Sequence, residues 1–289
     1  MSILVDQNTK VLVYGITGSY GGAQVECMVA YGTQVVAGVS AKKAGQSHLG
    51  IPIFGDAQSA VTQTGANTAA FYLPAVAIMG AVKESISAGV KLLFIATEGV
   101  PIHDMMVLRK LAYDAGAWIV GPNSLGLTSP GKAFVGSIAP DFTMPGGVGI
   151  CSRSGTVSLA ISSHLSMNGI GQSTIVSMGG DPVLGRNPAE YIARFNDDDE
   201  TCAIVLIGEI GGGKEYEVRN RLSELKKPLI AYIGGKSARE GKRMGHMGAI
   251  IGGEGQDAKS KMDALQSAGA IVVDTLWEIA GVLKGLGVN

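Results

Sequence analysis

Cysteine is scarce. Cys27, Cys151 and Cys202 are the only three in 289 residues, and no two are spaced as CxxC. A disulfide scaffold and a cysteine-built zinc site are therefore excluded, and all three thiols are expected to be buried and reduced. Long apolar runs are also missing. None reaches the roughly 18 residues that a spanning helix needs, so no membrane partner is expected. The opening residues, Met1-Ser2-Ile3-Leu4-Val5-Asp6, lack a basic stretch ahead of an apolar one. No signal peptide is expected on that ground, and the expected location is the reducing cytoplasm. The net charge is −1, with no basic footprint for nucleic acid. Hydrophobic residues make up 46% and charged ones 16%, which excludes a disordered chain.

Glycine is what the chain has in excess, 43 residues in all, well beyond the usual share of about 7%. The glycines recur at the ends of apolar runs, where strands turn into helices and backbone approaches ligand. The length suits two domains of about 100–150 residues each. Short apolar segments at 10–14, 34–39, 69–73, 92–96 and 118–120 read as strands covered on both faces. Helical segments at 21–31, 76–88 and 104–115 lie between them. A Gly/Pro/Ser-rich stretch then interrupts the alternation. A second series follows, with strands at 148–152, 174–178, 202–207, 229–233 and 271–274. Its helices are expected at 157–167, 188–195, 214–225, 257–268 and 276–286. The fold class is α/β with two doubly wound parallel sheets. The expected division is a first domain over 1–122, a connecting segment over 123–146 and a second domain over 147–289. Ligands in such sheets bind outside the carboxyl ends of the strands.

The first strand runs into Gly15-Ile16-Thr17-Gly18-Ser19-Tyr20-Gly21-Gly22 and then a helix. That arrangement puts free N–H groups and the positive end of a helix dipole beside an anion, so it predicts phosphate binding. The NAD fingerprint is not met, because Thr17 stands where its second glycine belongs. The second strand also ends without the ribose-binding acid and continues into Lys42 and Lys43. A ligand with a phosphorylated ribose fits this loop. CoA, with its 3′-phosphate, suits it better than NAD, while NADP and a ligand-free turn stay open. Two later strand ends, Ala96-Thr97-Glu98-Gly99 and Gly121-Pro122-Asn123-Ser124, add polar groups to the same rim.

Of four histidines, His48, His103 and His164 read as structural. His246 stands apart, in Gly241-Lys242-Arg243-Met244-Gly245-His246-Met247-Gly248-Ala249. Glycine on each side permits unusual backbone, and Lys242 and Arg243 can neutralise a phosphate. No second ligand lies at zinc spacing. The pattern points to a histidine that attacks phosphorus through a neutral ring nitrogen, with a carboxylate holding the other nitrogen's proton. Glu209, in Ile207-Gly208-Glu209-Ile210-Gly211-Gly212, is the candidate carboxylate. A plain loop role for His246 remains the alternative at this level. Ser152-Arg153-Ser154-Gly155-Thr156 and Met178-Gly179-Gly180-Asp181-Pro182 are further strand ends that can meet a phosphoryl oxyanion. A Ser–His–Asp hydrolase is disfavoured because no GxSxG elbow occurs.

These motifs, taken in order along the chain, resemble the α-subunit family of succinate–CoA ligase (succinyl-CoA synthetase). The matching segments are Met1-Ser2-Ile3-Leu4, Gly15 to Gly21, His48-Leu49-Gly50, Thr97-Glu98-Gly99 and Gly121-Pro122-Asn123. They continue with Ser152 to Thr156, Gly179-Gly180-Asp181-Pro182, Gly208 to Gly212 and Gly241 to Ile251. The resemblance implies a Rossmann-like CoA-binding domain followed by a flavodoxin-like ligase domain that carries the phosphohistidine loop. It also implies CoA as a substrate, a small carboxylic acid, and ATP or GTP with Mg2+ held on a separate ATP-grasp β subunit. On the same match Thr17, Gly18, Ser19, Tyr20, Lys43, Ala96, Thr97, Glu98, Pro122 and Asn123 would serve CoA. Ser154, Gly155 and Thr156 would meet phosphate, Leu159, Gly180 and Asp181 the acid substrate, and Glu209 would orient His246. No metal is expected on this chain.

The chain departs from the family pattern at four places. Ser40-Ala41-Lys42-Lys43 replaces its usual Thr-Pro-Gly-Lys, which keeps the lysine and changes the turn. Ser124 stands for a cysteine and Met247 for an alanine. Leu159 and Ala160 occupy the places of a Tyr-Glu pair near the acid substrate. The phosphate chemistry is retained and the acid pocket altered, so succinate is the expected acid, with malate or citrate as alternatives. A CoA-binding relative without ligase activity is a further alternative.

Overall fold

A computed structural model describes residues 2–138 and 140–288. Met1, Ala139 and Asn289 lie outside the described residues, and with Met1 goes the first residue of the matching amino-terminal tetrapeptide. The first half builds one sheet. Its elements are β1 (Lys10–Tyr14), α1 (Ser19–Tyr31), β2 (Gln34–Val39), β3 (Ser47–His48), β4 (Ile51–Phe54) and α2 (Ala57–Thr64). They continue with β5 (Thr68–Phe71), α3 (Ala75–Ser87), β6 (Leu92–Ile95), α4 (Ile102–Asp114) and β7 (Trp118–Val120). The strand order is β3-β4-β2-β1-β5-β6-β7, parallel except at the β3–β4 edge. The chain turns from one side of β1 to the other, so the glycine loop after Tyr14 sits at the switch point, where a crevice opens. β1 is covered on both faces. Leu12 and Tyr14 enter one apolar cluster, and Val11 and Val13 enter another, as the two-residue period of a strand requires.

The second half repeats the plan. It holds β8 (Gly126–Ser129), β9 (Ala133–Gly136), β10 (Pro145–Ser152), α5 (Gly155–Met167), β11 (Gln172–Ser177) and α6 (Pro188–Asp197). Then come β12 (Ala203–Glu209), α7 (Lys214–Arg219), β13 (Leu229–Gly234), α8 (Ala258–Ser267), β14 (Ile271–Val272) and α9 (Glu278–Gly285). The order is β14-β13-β12-β10-β11-β8-β9. Its core strands are parallel, and the switch point falls at the end of β10, beside the end of β12.

Three expectations need correction. The stretch 123–146 is not a bare connection: β8 and β9 form an antiparallel hairpin on β11 and extend the second sheet. That hairpin also ties the halves together, since Thr33 Oγ1 donates to Phe134 O and Tyr31 OH accepts from Gly131 N. The fold class is as expected, α/β with two doubly wound sheets, and the antiparallel edges make both sheets mixed. The helix expected over 214–225 ends at Arg219, and a short 3-10 turn, Leu222–Glu224, follows it. Cys151 is buried, but Cys27, in α1, and Cys202, just before β12, are exposed. All three are free thiols, and no helix of the described residues is long and apolar enough to cross a membrane.

One apolar cluster runs from Val11, Phe94 and Val120 of the first sheet through Ile150, Val176 and Leu206 of the second. The junction is reinforced where Trp118 meets Tyr191 edge-on at 5.1 Å and the Arg186 guanidinium lies 3.6 Å over the Tyr113 ring. Packing against β10 leaves no slack. A methyl group on Gly149 would come within 2.4 Å of the Phe195 ring. Gly149→Ala is expected to cost about 1–3 kcal/mol through overpacking, read as a lower urea midpoint. Adding Phe195→Leu is expected to recover part of that loss.

Candidate active site

Adjacent parallel strands bring the central residues together. β10 and β12 run in register, with Ser152 opposite Ile207, and Arg153 N donates to Ile207 O at 2.9 Å. Arg153 and Glu209 thus emerge side by side at the switch point. The Arg153 side chain is 2% exposed and that of Glu209 12%. Their charges meet at 2.9 Å, Nη2 to Oε1, a contact off the line of an N–H bond, so Oε1 has no hydrogen-bond donor. Two of the Arg153 N–H bonds go to backbone: Nε donates to Gly179 O at 2.9 Å and Nη2 to Asp181 O at 3.2 Å.

The second carboxylate oxygen holds the histidine. His246 Nδ1 lies 2.7 Å from Glu209 Oε2. A carboxylate only accepts, so Nδ1 carries the proton and Nε2 of the neutral ring keeps its lone pair. The hydrogen bond to Glu209 raises the histidine's pKa above its ordinary value, against the opposing pull of burial and of the Arg153 charge. The ring is also fixed sterically. A methyl group on Gly180 would fall 2.4 Å from His246 Cγ, so only glycine lets this backbone lie against the imidazole. The histidine loop is pinned by Gly248 N donating to Gly180 O, Ala249 N to His246 O and Met244 N to Ala249 O.

Beneath Glu209 lies a buried ammonium group. Lys261 of α8 donates to Glu209 O at 2.8 Å, to Gly211 O at 2.7 Å and to Glu215 Oε2 at 2.6 Å. All three of its protons are therefore used, which is the condition for burying such a charge. Sequence reasoning missed Lys261, although it shares a helical face with buried Ala258 and Leu265, at the three- and four-residue spacing of a core stripe. Arg153 was also missed as the partner of Glu209. Lys214 is a further half-buried cation beside this group, donating to Pro182 O at 2.8 Å. Burial, helped by the Arg153 charge, lowers its pKa to about 8.

A cavity of about 290 Å³ opens beside the dyad, lined by Glu209, His246, Arg153 and Ser154 with Val157, Tyr232, Met244 and Leu276. Ser154 caps α5, with Gly155 and Thr156 in the first turn. Val157 lines the cavity, whereas Leu159 packs on the core. Lys242 and Arg243 are exposed in the loop. Asp181 is buried with both oxygens occupied, Oδ2 by Gly99 N and Oδ1 by Asn123 Nδ2, each at 3.1 Å. Burial raises its pKa despite these bonds. Its carboxylate ties two strand ends together.

The rim of the first sheet presents the other expected group. Gly18 caps α1 without a side-chain bond, which leaves first-turn N–H groups for an anion. Lys43 Nζ reaches across from the end of β2 to Thr17 Oγ1 at 2.7 Å, and a cleft of about 290 Å³ lies beside Thr17. Ser19 and Tyr20 open the helix, and Tyr20 OH pairs with Ser137 Oγ at 2.8 Å. Ala96 and Thr97 are half-buried, Glu98 is exposed, and Thr97 Oγ1 donates to Leu73 O. Pro122 is buried under Gly179, and Asn123 faces Asp181, so neither opens onto this cleft. Of the other histidines, His48 packs on Gly22, His103 is exposed, and His164 meets Trp277 edge-on.

Comparison with known proteins bears on both groups. Family models described as CoA binding domain and CoA-ligase match residues 6–99 and 151–271. The succinate–CoA ligase [ADP-forming] subunit alpha 2 of Archaeoglobus fulgidus is 44% identical over 280 residues, 97% of this chain and 98% of that one. The corresponding alpha subunit of Aquifex aeolicus is 46% identical over 95% of this chain and 91% of its own. The malate–CoA ligase subunit alpha of Methylorubrum extorquens is 40% identical over 94% of each. Among solved structures, ATP citrate lyase from Methanothrix soehngenii in complex with citrate and coenzyme A aligns with a TM-score of 0.90 over 99% of this chain. At 24% identity that likeness speaks for the fold, and the chain spans 52% of the lyase chain.

The Lys261–Glu215 pair gives a direct check on how the site is supported. Lys261→Met leaves the buried Glu215 carboxylate without its counter-charge, with only the Glu209 N–H still donating to it, and is expected to cost about 3–5 kcal/mol. Calorimetry of Lys261→Met and of the Lys261→Met/Glu215→Gln double variant tests this. The double variant is expected to regain most of the loss.

Proposed function

The chain belongs to the family of succinate–CoA ligase α subunits, and on that premise we propose that it carries a phosphoryl group on His246 between a nucleotide and a carboxylic acid. The observation that supports this most is the Arg153–Glu209–His246 row at the switch point of the second sheet, with Arg153 buried and His246 half-buried. In the proposed sequence the nucleotide, ATP or GTP with Mg2+, is held by an ATP-grasp β subunit. Nε2 of His246 attacks its γ-phosphorus, the nucleoside diphosphate leaves, and the Nδ1 proton stays on the bond to Glu209. The Glu209 carboxylate offsets the positive charge that develops on the ring. The first-turn N–H groups of α5 at Gly155 and Thr156, with the Ser154 hydroxyl, face the phosphoryl oxygens.

The acid's carboxylate oxygen then attacks phosphorus, giving an acyl phosphate and free His246. The CoA thiol attacks the acyl carbon and expels inorganic phosphate, which takes up the thiol proton as it leaves. The thioester forms without a new acid–base set, because the phosphate activates the acyl group. In this reading the CoA phosphates lie on the α1 amino terminus and Lys43, along Thr17 to Tyr20, with Ala96, Thr97 and Glu98 on the facing rim. Succinate is the proposed acid and the cytoplasm the proposed location. A second reading keeps the chemistry with malate. It rests on Leu159 and Ala160 in place of the family's Tyr-Glu pair, and a malate–CoA ligase α subunit stands among the relatives at 40% identity.

Incubation of the complex with its β subunit and γ-labelled nucleotide is expected to place acid-labile, base-stable label on His246. Label that survives His246→Asn overturns the proposal, and CoA consumption with succinate and malate in parallel separates the two readings. The pH dependence follows from the raised histidine pKa. Only the neutral ring attacks, so phosphorylation falls as the pH drops through that pKa. Glu209→Gln removes the largest cause of the shift. The acidic limb is expected to move to lower pH, and the plateau rate to fall on the order of 10²-fold or more. A limb that stays in place contradicts the assigned role of Glu209.

A further inference from the structure

The turn Gly179-Gly180-Asp181-Pro182 after β11 touches both candidate sites at once. On one side it carries the histidine. Gly180 lies against the imidazole, Gly180 O accepts from Gly248 N of the histidine loop, and Arg153 donates to Gly179 O and Asp181 O. On the other side it meets the rim of the first sheet. Gly179 is pressed on Pro122 O, and Gly180 N donates to Asn123 O. Asn123 N in turn donates to Thr97 O. The Asp181 side chain closes this second contact, with one oxygen on Gly99 N, directly after Thr97 and Glu98, and the other on Asn123 Nδ2. The side chain is buried and touches no cavity beside His246.

Resting on the proposed phosphohistidine, we infer that Asp181 is a positioning residue that couples occupancy of the CoA rim at Thr97–Gly99 to the phosphorylation state of His246. A phosphoryl group on Nε2 changes the charge and the space beside Gly180. That backbone is packed too tightly to absorb a shift alone, because it is closed by glycine contacts on both sides. A displacement of Gly180 is carried one residue on, to Asp181, whose carboxylate holds Gly99 and Asn123 together. CoA lying on Thr97 and Glu98 acts on the same carboxylate from the other end. Coupling of this kind is reciprocal: if phosphorylation alters CoA affinity, CoA alters the ease of phosphorylation by the same factor.

The test is the CoA dissociation constant of the complex with its β subunit, measured by calorimetry without acid substrate, for the phosphorylated and unphosphorylated forms. Label stoichiometry is scored in the same samples. In the unaltered protein the two constants are expected to differ by about fivefold or more. Asp181→Ala removes both links and Asn123→Ala removes one from the opposite end, and in each the ratio is expected to fall below about twofold. Asp181→Asn, which keeps an acceptor for Gly99 N, is expected to lie between. A full label with equal constants in the unaltered protein, or with an unchanged ratio in the variants, overturns the coupling and leaves the phosphohistidine intact. Absence of label from the unaltered protein overturns the phosphohistidine and the coupling with it. If Asp181→Ala does not fold, Asn123→Ala decides the question.

Discussion

The carboxylate of Glu209 is the constraint on which the second domain is arranged. A buried carboxylate is costly unless its charge is met and its oxygens are engaged. Here one oxygen faces the guanidinium of Arg153 and the other holds the Nδ1 proton of His246. The two demands are opposed. A cation fully paired to the carboxylate would leave little attraction for the imidazole, and none would leave the charge stranded. Arg153 is placed between these limits, close to Oε1 but with its N–H bonds aimed at the carbonyls of Gly179 and Asp181. The carboxylate therefore keeps its strongest hydrogen bond for the histidine.

The surrounding fold serves that arrangement. Parallel strands β10 and β12 deliver Arg153 and Glu209 to one point, and Lys261 clamps the carbonyls of Glu209 and Gly211 from below. Glycine at 180 lets backbone lie flat on the ring. The first sheet repeats the device at lower charge density: a strand end, a glycine turn and a helix start, with Lys43 brought to Thr17 from the neighbouring strand. The turn 179–182 stands between these two places and contacts both sheets.

Much of this was legible in the sequence. Segments 10–14, 34–39 and 118–120 coincide with β1, β2 and β7 because apolar residues on both faces leave no other reading. Glu209 and His246 were identifiable as partners because each sits in a glycine-rich turn after a strand, although 37 residues separate them. Hairpin 126–136 was hidden by its composition. Ser129 reads as loop, yet it is buried because its hydroxyl pairs with Thr174 Oγ1 at 2.9 Å. β4 was masked by Pro52, and α2 by its run of Gln, Ser and Thr. Lys261 was passed over, and the contacts that tie Asp181 to Gly99 and Asn123 were not foreseen, for a common reason. A charged side chain on a helix or in a turn looks solvated or reactive until the carbonyls and amides it satisfies come from distant parts of the chain.

The central claim is that Glu209 commits one nitrogen of His246 and frees the other. The most direct measurement is nitrogen-15 and phosphorus-31 NMR of the phosphorylated complex with labelled histidine. The coupling identifies which ring nitrogen bears phosphorus. Phosphorus on Nε2, with Nδ1 still protonated, is the result the geometry requires. Phosphorus on Nδ1 would mean that the bond to Glu209 breaks before the chemistry, and it would contradict the account.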